Sequence, residues 1–243
     1  RIAMNGVDVV YHLAAVADVN EVVTDPSYSE TINVRGTLNV LEAMRRADIS
    51  RLVFASTVWV YSTAEGDQVD ESSPLGAPDH FYTATKMAAE YYCRTYGLMY
   101  GLETTVLRYG IPYGPRARAR AVVPTFVEKA LKGEPLTIAG NGSQYRRFVY
   151  IEDLAEGNAL AINPIAKNRT YNLDGSEKTT IREIAETIQE ILGDVEIRYG
   201  PERPGDYGGK EVLSTRAHQE LGWKPSVNFR VGLRRYIDWY RGF

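Results

Sequence analysis

The chain has 243 residues, 44% of them hydrophobic and 24% charged, enough length and apolar content to bury a sizeable core. Its net charge of -3 comes from 28 basic and 31 acidic residues mixed along the sequence. No basic block suits a nucleic acid or a membrane surface, so neither is expected as a partner. The single cysteine, Cys93, excludes an internal disulfide and reads as a small buried hydrophobe. With no apolar run of membrane-span length and no signal segment, a soluble, non-exported protein in a reducing, cytoplasmic setting is expected.

In chain order, residues 7–13 form a short apolar run that predicts a strand. Residues 32–46 carry Val34, Leu38, Leu41 and Met44 at helical spacing, and residues 52–55 are apolar again. Residues 82–96 read as a helix with Ala84, Ala88, Tyr91, Tyr92 and Thr95 toward one side, and residues 104–107 as a β-rich run. Strands alternating with crossover helices predict an α/β fold with a doubly wound parallel sheet, since parallel partners need a long return connection. No repeat or low-complexity segment interrupts this pattern.

Beyond Gly110 the texture changes. Pro112, Gly114, Pro115 and the alternating Arg116, Arg118 and Arg120 precede a helix over about 123–132. Gly140 and Gly142 read as a plain turn. Thr180 caps a helix in which Glu183 completes a capping box, with Ile181, Ile184, Ala185, Ile188, Ile191 and Leu192 as the apolar stripe up to Gly193. A strand over 195–199, a Pro/Gly-rich loop over 200–209, a short helix ending near Leu221 and a final amphipathic helix over about 231–240 complete the chain. The expected division puts residues 1–115 and about 145–175 in one domain, and 116–144 and 176–243 in a smaller α/β subdomain.

The chemical signal lies at Thr57, Tyr82 and Lys86. Tyr82 and Lys86 are four apart on a predicted helix, so the ammonium sits near the phenol and favours its ionised form, making a tyrosinate base available. With 17 tyrosines and seven lysines in the chain, about half a Tyr-x-x-x-Lys pair arises by chance, so the pair alone is weak. It gains weight because Ser56 and Thr57 follow a predicted buried strand, and ligands of open α/β sheets bind outside the carboxyl ends of strands.

Taken together, the motifs resemble those of the extended short-chain dehydrogenases that act on nucleotide sugars, the NAD-dependent epimerase/dehydratase family, from end to end of the chain. His12-Leu13-Ala14-Ala15 looks like the strand end on the cofactor's adenosine side, and Asn33-Val34-Arg35-Gly36-Thr37 with Leu41-Glu42-Ala43 like the helix after it. Ala55-Ser56-Thr57 before Val60-Tyr61 is similar to the catalytic Ser/Thr segment, 25 residues before Tyr82. Leu107-Arg108-Tyr109-Gly110 with Tyr113-Gly114-Pro115 resembles the strand and loop beneath the nicotinamide. The stretch from Gly140 to Asp153 resembles the substrate-loop signature, and Arg203-Pro204-Gly205-Asp206 with Leu221-Gly222-Trp223 the C-terminal one.

The resemblance implies a Rossmann-like dinucleotide-binding domain, NAD as cofactor, a nucleotide-diphosphate sugar such as a UDP-sugar as substrate, and no metal. It assigns Tyr82 as the acid/base acting on the sugar 4-hydroxyl while hydride passes from C4 to NAD and then back to the opposite face. Lys86 lowers the tyrosine pKa and binds the nicotinamide ribose, and Thr57 orients the reacting hydroxyl. Leu13, Ala14, Ala15, Asn33, Ala55, Ser56 and Tyr109 join Tyr82 and Lys86 around the cofactor. Val122, Arg146, Arg203 and Asp206 join Thr57 around the substrate, the arginines matching those that grip the diphosphate; solvated surface charge is their other reading. A homodimer through helices spanning about 26–47 and 82–97 is implied, with Tyr91, Tyr92 and Tyr96 as candidate contact residues; packing against the sheet explains those three as well.

Several positions depart from the family pattern. Val58 and Trp59 stand where dehydratases and decarboxylases carry acidic residues, which ranks 4-epimerisation above those two reactions, with a reductase or dehydratase of the same family as the alternative; Trp59 also reads as plain core. Ile111 replaces a common asparagine, Arg147 a common aspartate and Ser62 a usual glycine. No glycine-rich turn opens a helix, so the first strand, its phosphate-binding turn and the acidic residue for the adenosine ribose have no counterpart in this sequence. The expectation is an N-terminally truncated sheet with apolar surface on Val9 and Tyr11. A catalytically silent remnant that still holds a nucleotide sugar stays open beside the enzyme.

Overall fold

The computed structural model describes residues 2–201 and 210–242. In chain order, its first ten elements are β1 (Val9–His12), α1 (Val19–Thr24), α2 (Pro26–Glu30), α3 (Gly36–Arg46), β2 (Arg51–Thr57), β3 (Gln68–Val69), α4 (Phe81–Tyr100), β4 (Glu103–Tyr109), β5 (Ile111–Tyr113) and α5 (Val122–Leu131). Then come β6 (Leu136–Ala139), β7 (Tyr145–Tyr150), α6 (Ile151–Leu160), β8 (Thr170–Leu173), β9 (Lys178–Thr180), α7 (Ile181–Leu192), β10 (Ile197–Gly200), β11 (Glu211–Val212), α8 (Thr215–Leu221) and α9 (Phe229–Arg241).

The chain divides into two units. The first comprises Arg1–Tyr109, Glu156–Leu173 and Lys210–Lys224. Its sheet has the order β1-β2-β4-β8, parallel throughout. All seven residues of β2 are buried, as expected for an inner strand covered on both faces. Alternate residues serve opposite faces: Leu52 and Phe54 join Leu41 and Met44 of α3 and Ala89 and Cys93 of α4 in one apolar cluster. β1 is the edge strand of this sheet; Tyr11 on it is 40% exposed, and its hydroxyl donates to the Asn158 carbonyl at 3.0 Å. β3 and β11 pair in parallel beside a second cluster of Val60, Tyr61, Met87 and Val212.

The second unit comprises Gly110–Ala155, Asp174–Gly209 and Pro225–Phe243. β7 pairs with β5 in parallel and with β9 in antiparallel fashion, and β6 with β10 in parallel. The aromatic rings of Tyr113, Phe148, Tyr150 and Phe229 form its core with Ile184 and Ile188 of α7 and Leu233 and Ile237 of α9. The capping box at Thr180 is formed as the spacing requires: Thr180 Oγ1 accepts from the Glu183 N–H and the Glu183 carboxylate accepts from the Thr180 N–H.

The expected domain boundaries need three corrections, the first being that residues 110–115 fall in the second unit, where β5 pairs with β7. Residues 145–155 belong to the second unit because β7 pairs there with β5 and β9. Residues 210–224 belong to the first because β11 pairs with β3, while Tyr171 of β8 donates to Glu220 of α8 at 2.6 Å. The helix expected over 32–46 starts earlier, as α2, and passes through a wide turn, Thr31–Arg35, before α3. The loop expected over 200–209 lies outside the described residues from 202 onward. Among the described residues no helix is long and apolar enough to cross a membrane.

Candidate active site

β2 ends on Thr57, whose extended backbone turns into a short 3-10 segment, Val58–Tyr61; Thr57 Oγ1 accepts from the Trp59 N–H at 3.2 Å and caps that turn. α4 packs against both β2 and this turn. The N-cap of α4 is His80, whose Nδ1 accepts from the Tyr82 N–H at 3.1 Å. The cap places Tyr82, half-buried, in the first turn of the helix and Lys86 one turn deeper, only 3% exposed. The Lys86 ammonium sits over the Phe54 ring, 4.5 Å from its centroid. Burial lowers Lys86 to about 8, opposed by the nearby Glu90 carboxylate.

The cofactor positions divide by what their side chains do. Leu13 and Ala14, at the carboxyl end of β1, are exposed, and Ala15 is half-exposed, leaving an open strip of backbone. Ala55 and Ser56 are buried in β2. Asn33 has its polar atoms taken up within the protein: Oδ1 accepts from the Val16 N–H at 2.8 Å, and Nδ2 donates to the Val16 carbonyl at 2.9 Å and to Thr85 Oγ1 at 3.0 Å. From the wide Thr31–Arg35 turn, Asn33 thereby clamps the loop after β1. The Tyr109 hydroxyl donates to Asn158 Oδ1 at 2.5 Å, and burial pushes its phenol up.

In the second unit, Val122 opens α5 and is half-buried, packing against the apolar core. Arg146 lies on β7, half-buried, opposite Thr179 of β9, and its Nη1 donates to the Tyr145 carbonyl at 2.8 Å. Arg203 and Asp206 lie outside the described residues. Asp153 holds the chain ahead of α9: its carboxylate accepts from the Ser226 N–H and hydroxyl and from the Val227 N–H. Among the departures, Ile111 packs against the core, Arg147 Nη1 donates to the Gly175 carbonyl at 3.0 Å, and Ser62 Oγ donates to Asp79 Oδ1 at 2.9 Å.

Trp59 is half-buried with its ring edge-on to His80, 6.3 Å between centroids, and is not one of the core residues. Sequence reasoning missed the polar cluster behind Lys86, in which Glu90 joins Arg108 and Ser56. Its only signal was Glu90 at the i+4 position from Lys86.

A family model described as the NAD dependent epimerase/dehydratase family matches residues 1–174. The chain belongs to that family. A relative described as a putative UDP-glucose 4-epimerase from Methanocaldococcus jannaschii is 35% identical over 99% of this chain and 79% of its own length. A dTDP-glucose 4,6-dehydratase from Xanthomonas campestris pv. campestris is 30% identical over 96% of this chain and 72% of its own. Among solved structures, the UDP-glucose 4-epimerase of Thermus thermophilus in complex with NAD matches with a TM-score of 0.86 and 37% identity, covering 97% of this chain and 78% of that one. NAD is the family's cofactor. The first unit fits it: an open strip at Leu13 and Ala14 and a buried ammonium at Lys86 stand at a parallel sheet's strand ends and on the helix packed against it.

Proposed function

We propose that this family member is a UDP-sugar 4-epimerase. The observation that carries the reading is the pairing of a helix bearing Tyr82 and Lys86 with a strand that ends on Thr57, followed by the apolar Val58 and Trp59. A 4,6-dehydration needs a proton donor and acceptor at those two positions, and neither side chain supplies one.

When bound, NAD supplies a reversible hydride acceptor for the sugar C4. Tyr82 takes the proton from the 4-hydroxyl through its phenolate oxygen and returns it after the sugar has turned. Lys86 keeps a positive charge beside that oxygen and lowers the cost of ionising it. Thr57, already accepting from the Trp59 N–H, keeps its hydroxyl proton for the sugar oxygen. In the second unit, Arg146 carries a forked donor of the kind that suits a phosphate group.

The test is to incubate the chain with NAD and UDP-galactose and follow UDP-glucose by chromatography. The expected result is conversion that falls by about a hundredfold or more in Tyr82→Phe, the scale of a lost acid/base group. A 4-keto-6-deoxy product would sink epimerisation in favour of the dehydratase. A thermal shift with UDP-galactose and no conversion would leave a nucleotide-sugar binder.

The active form is proposed to be a homodimer through α4. Its outward side carries Tyr91, Tyr92, Leu98, Met99 and Tyr100, all exposed, more apolar surface than a solvated helix needs. Tyr96, half-buried, joins this helix to α3 by donating to Glu42 Oε1 at 2.8 Å.

A further inference from the structure

Behind Lys86 lies a buried ion pair that proton transfer at Tyr82 does not require. Arg108, on β4, donates from Nε to Glu90 Oε1 at 3.1 Å and from Nη2 to Oε2 at 2.7 Å, and the two side chains are 8% and 12% exposed. Glu90 Oε1 also accepts from Ser56 Oγ. On its other side Arg108 Nη1 donates to the Tyr61 hydroxyl at 2.6 Å, and that hydroxyl donates to Asn172 Oδ1 at 3.0 Å. Glu90 thus touches the residue before Thr57 and stands one helical turn after Lys86, on the same face of α4.

Burying two charges adds little to net stability compared with apolar residues of the same volume. The position of this pair suggests a different use for it. We propose that Glu90 is a positioning residue: it ties the Ser56–Thr57 end of β2 to the helix that carries Tyr82 and Lys86 and keeps the buried Lys86 protonated, while Arg108 holds Glu90 in place and tempers its field. The proposal deepens the epimerase reading, because it assigns the setting of the acid/base couple.

The charged and titratable groups facing Lys86 are few. Tyr82, Glu90 and Cys93 share its helix, and His12 faces it from β1, where Lys86 helps to hold the imidazole neutral. β2 offers the uncharged Phe54 ring, and β4 acts through Arg108 on Glu90. Of these, Glu90 leads in favouring the ammonium, ahead of Cys93, whose thiol burial pushes up to about 12.

The chain holds seven lysines, so the Lys86 Nζ signal in lysine-labelled protein is assignable by Lys86→Met and can be followed with pH by NMR. No turnover or cofactor is needed, so this result and the epimerase assay fail independently. Glu90→Gln should lower the Lys86 midpoint by about one pH unit, a tenfold loss of proton affinity for the removal of a nearby opposite charge. Arg108→Met should raise it, and Glu90→Asp should keep it near the parent value. Opposite signs distinguish an electrostatic role from simple repacking, which has no reason to produce them. A midpoint in Glu90→Gln at or above the parent's, or movement in the same direction in Arg108→Met, overturns the proposal. Where one of the two variants lacks a cooperative thermal transition, the sign in the other decides.

Discussion

Asn33 donates from Nδ2 to Thr85 Oγ1 at 3.0 Å, across 52 residues of sequence. Thr85 in turn donates to the Tyr82 carbonyl at 2.8 Å. The loop after β1, which Asn33 grips at Val16, is therefore linked through two buried side chains to the first turn of the helix that carries Tyr82.

That linkage predicts the effect of Asn33→Asp. A carboxylate can still accept from the Val16 N–H but can no longer donate to the Val16 carbonyl, leaving a buried acceptor unpaired. A loss of about 2 to 3 kcal/mol in urea unfolding is expected, the usual scale for such a defect, together with weaker NAD binding by titration calorimetry. Unchanged stability would show that the clamp is solvated.

His12 gives the first unit a pH dependence. Burial, helped by Lys86, lowers its imidazole from 6.5 to about 4. The unfolded chain takes up a proton at 6.5 that the folded protein refuses, so this contribution is complete above pH 6.5 and is lost as pH falls toward 4. Allowing for partial solvation, the loss is at most about 2 kcal/mol. Urea midpoints of His12→Gln, subtracted from those of the parent, should show this slope in that window and none above it.

Asp174, in the second unit, acts with the opposite sign. Burial raises its carboxyl from 3.8 to about 7, against the Gly175 N–H and the Arg147 guanidinium. The folded protein keeps a proton that the unfolded chain releases, so the contribution is complete below about pH 3.8 and is lost as pH rises through 7. Asp174→Asn should therefore gain stability relative to the parent between pH 4 and 7. Because the two slopes oppose each other, each variant should expose the slope the other group had masked.

Gly232, on α9, faces the aromatic core. A Cβ there would overlap the Tyr113 hydroxyl and lie 2.8 Å from Tyr113 Cζ and 2.9 Å from Tyr150 Cδ2. Both rings are locked in the core with Phe148 and Phe229, so they cannot yield cheaply. Gly232→Ala should cost about 1 to 3 kcal/mol, the range for overpacking, measured as a lower thermal midpoint. Gly222→Ala, where a Cβ meets nothing within 4 Å but φ is +71°, separates strain from crowding.

Much of the first unit was legible before folding. The alternation of apolar runs with helical periods around β1, β2 and β4 follows from local rules, as does the Thr180 cap, because these depend on neighbours a few residues away. The same holds for Tyr82 and Lys86, which share a helix. The strands of the second unit were less legible: β5, β6, β7 and β9 are three to six residues long, too short for period to separate them from loop. Their pairing partners lie far off in sequence.

The sequence by itself determined the family, the α/β class, and the placing of Tyr82 and Lys86 on one helix, since each is written in order along the chain or within one helical turn. Only the tertiary structure decided how the polar residues are spent. The side chain of Asn33 is bonded to Val16 and Thr85. Glu90, unremarkable in the sequence, is drawn into the ground beneath Lys86. The physical reason is that a buried polar group must find a partner wherever the fold supplies one, and those partners here stand 17 to 52 residues away.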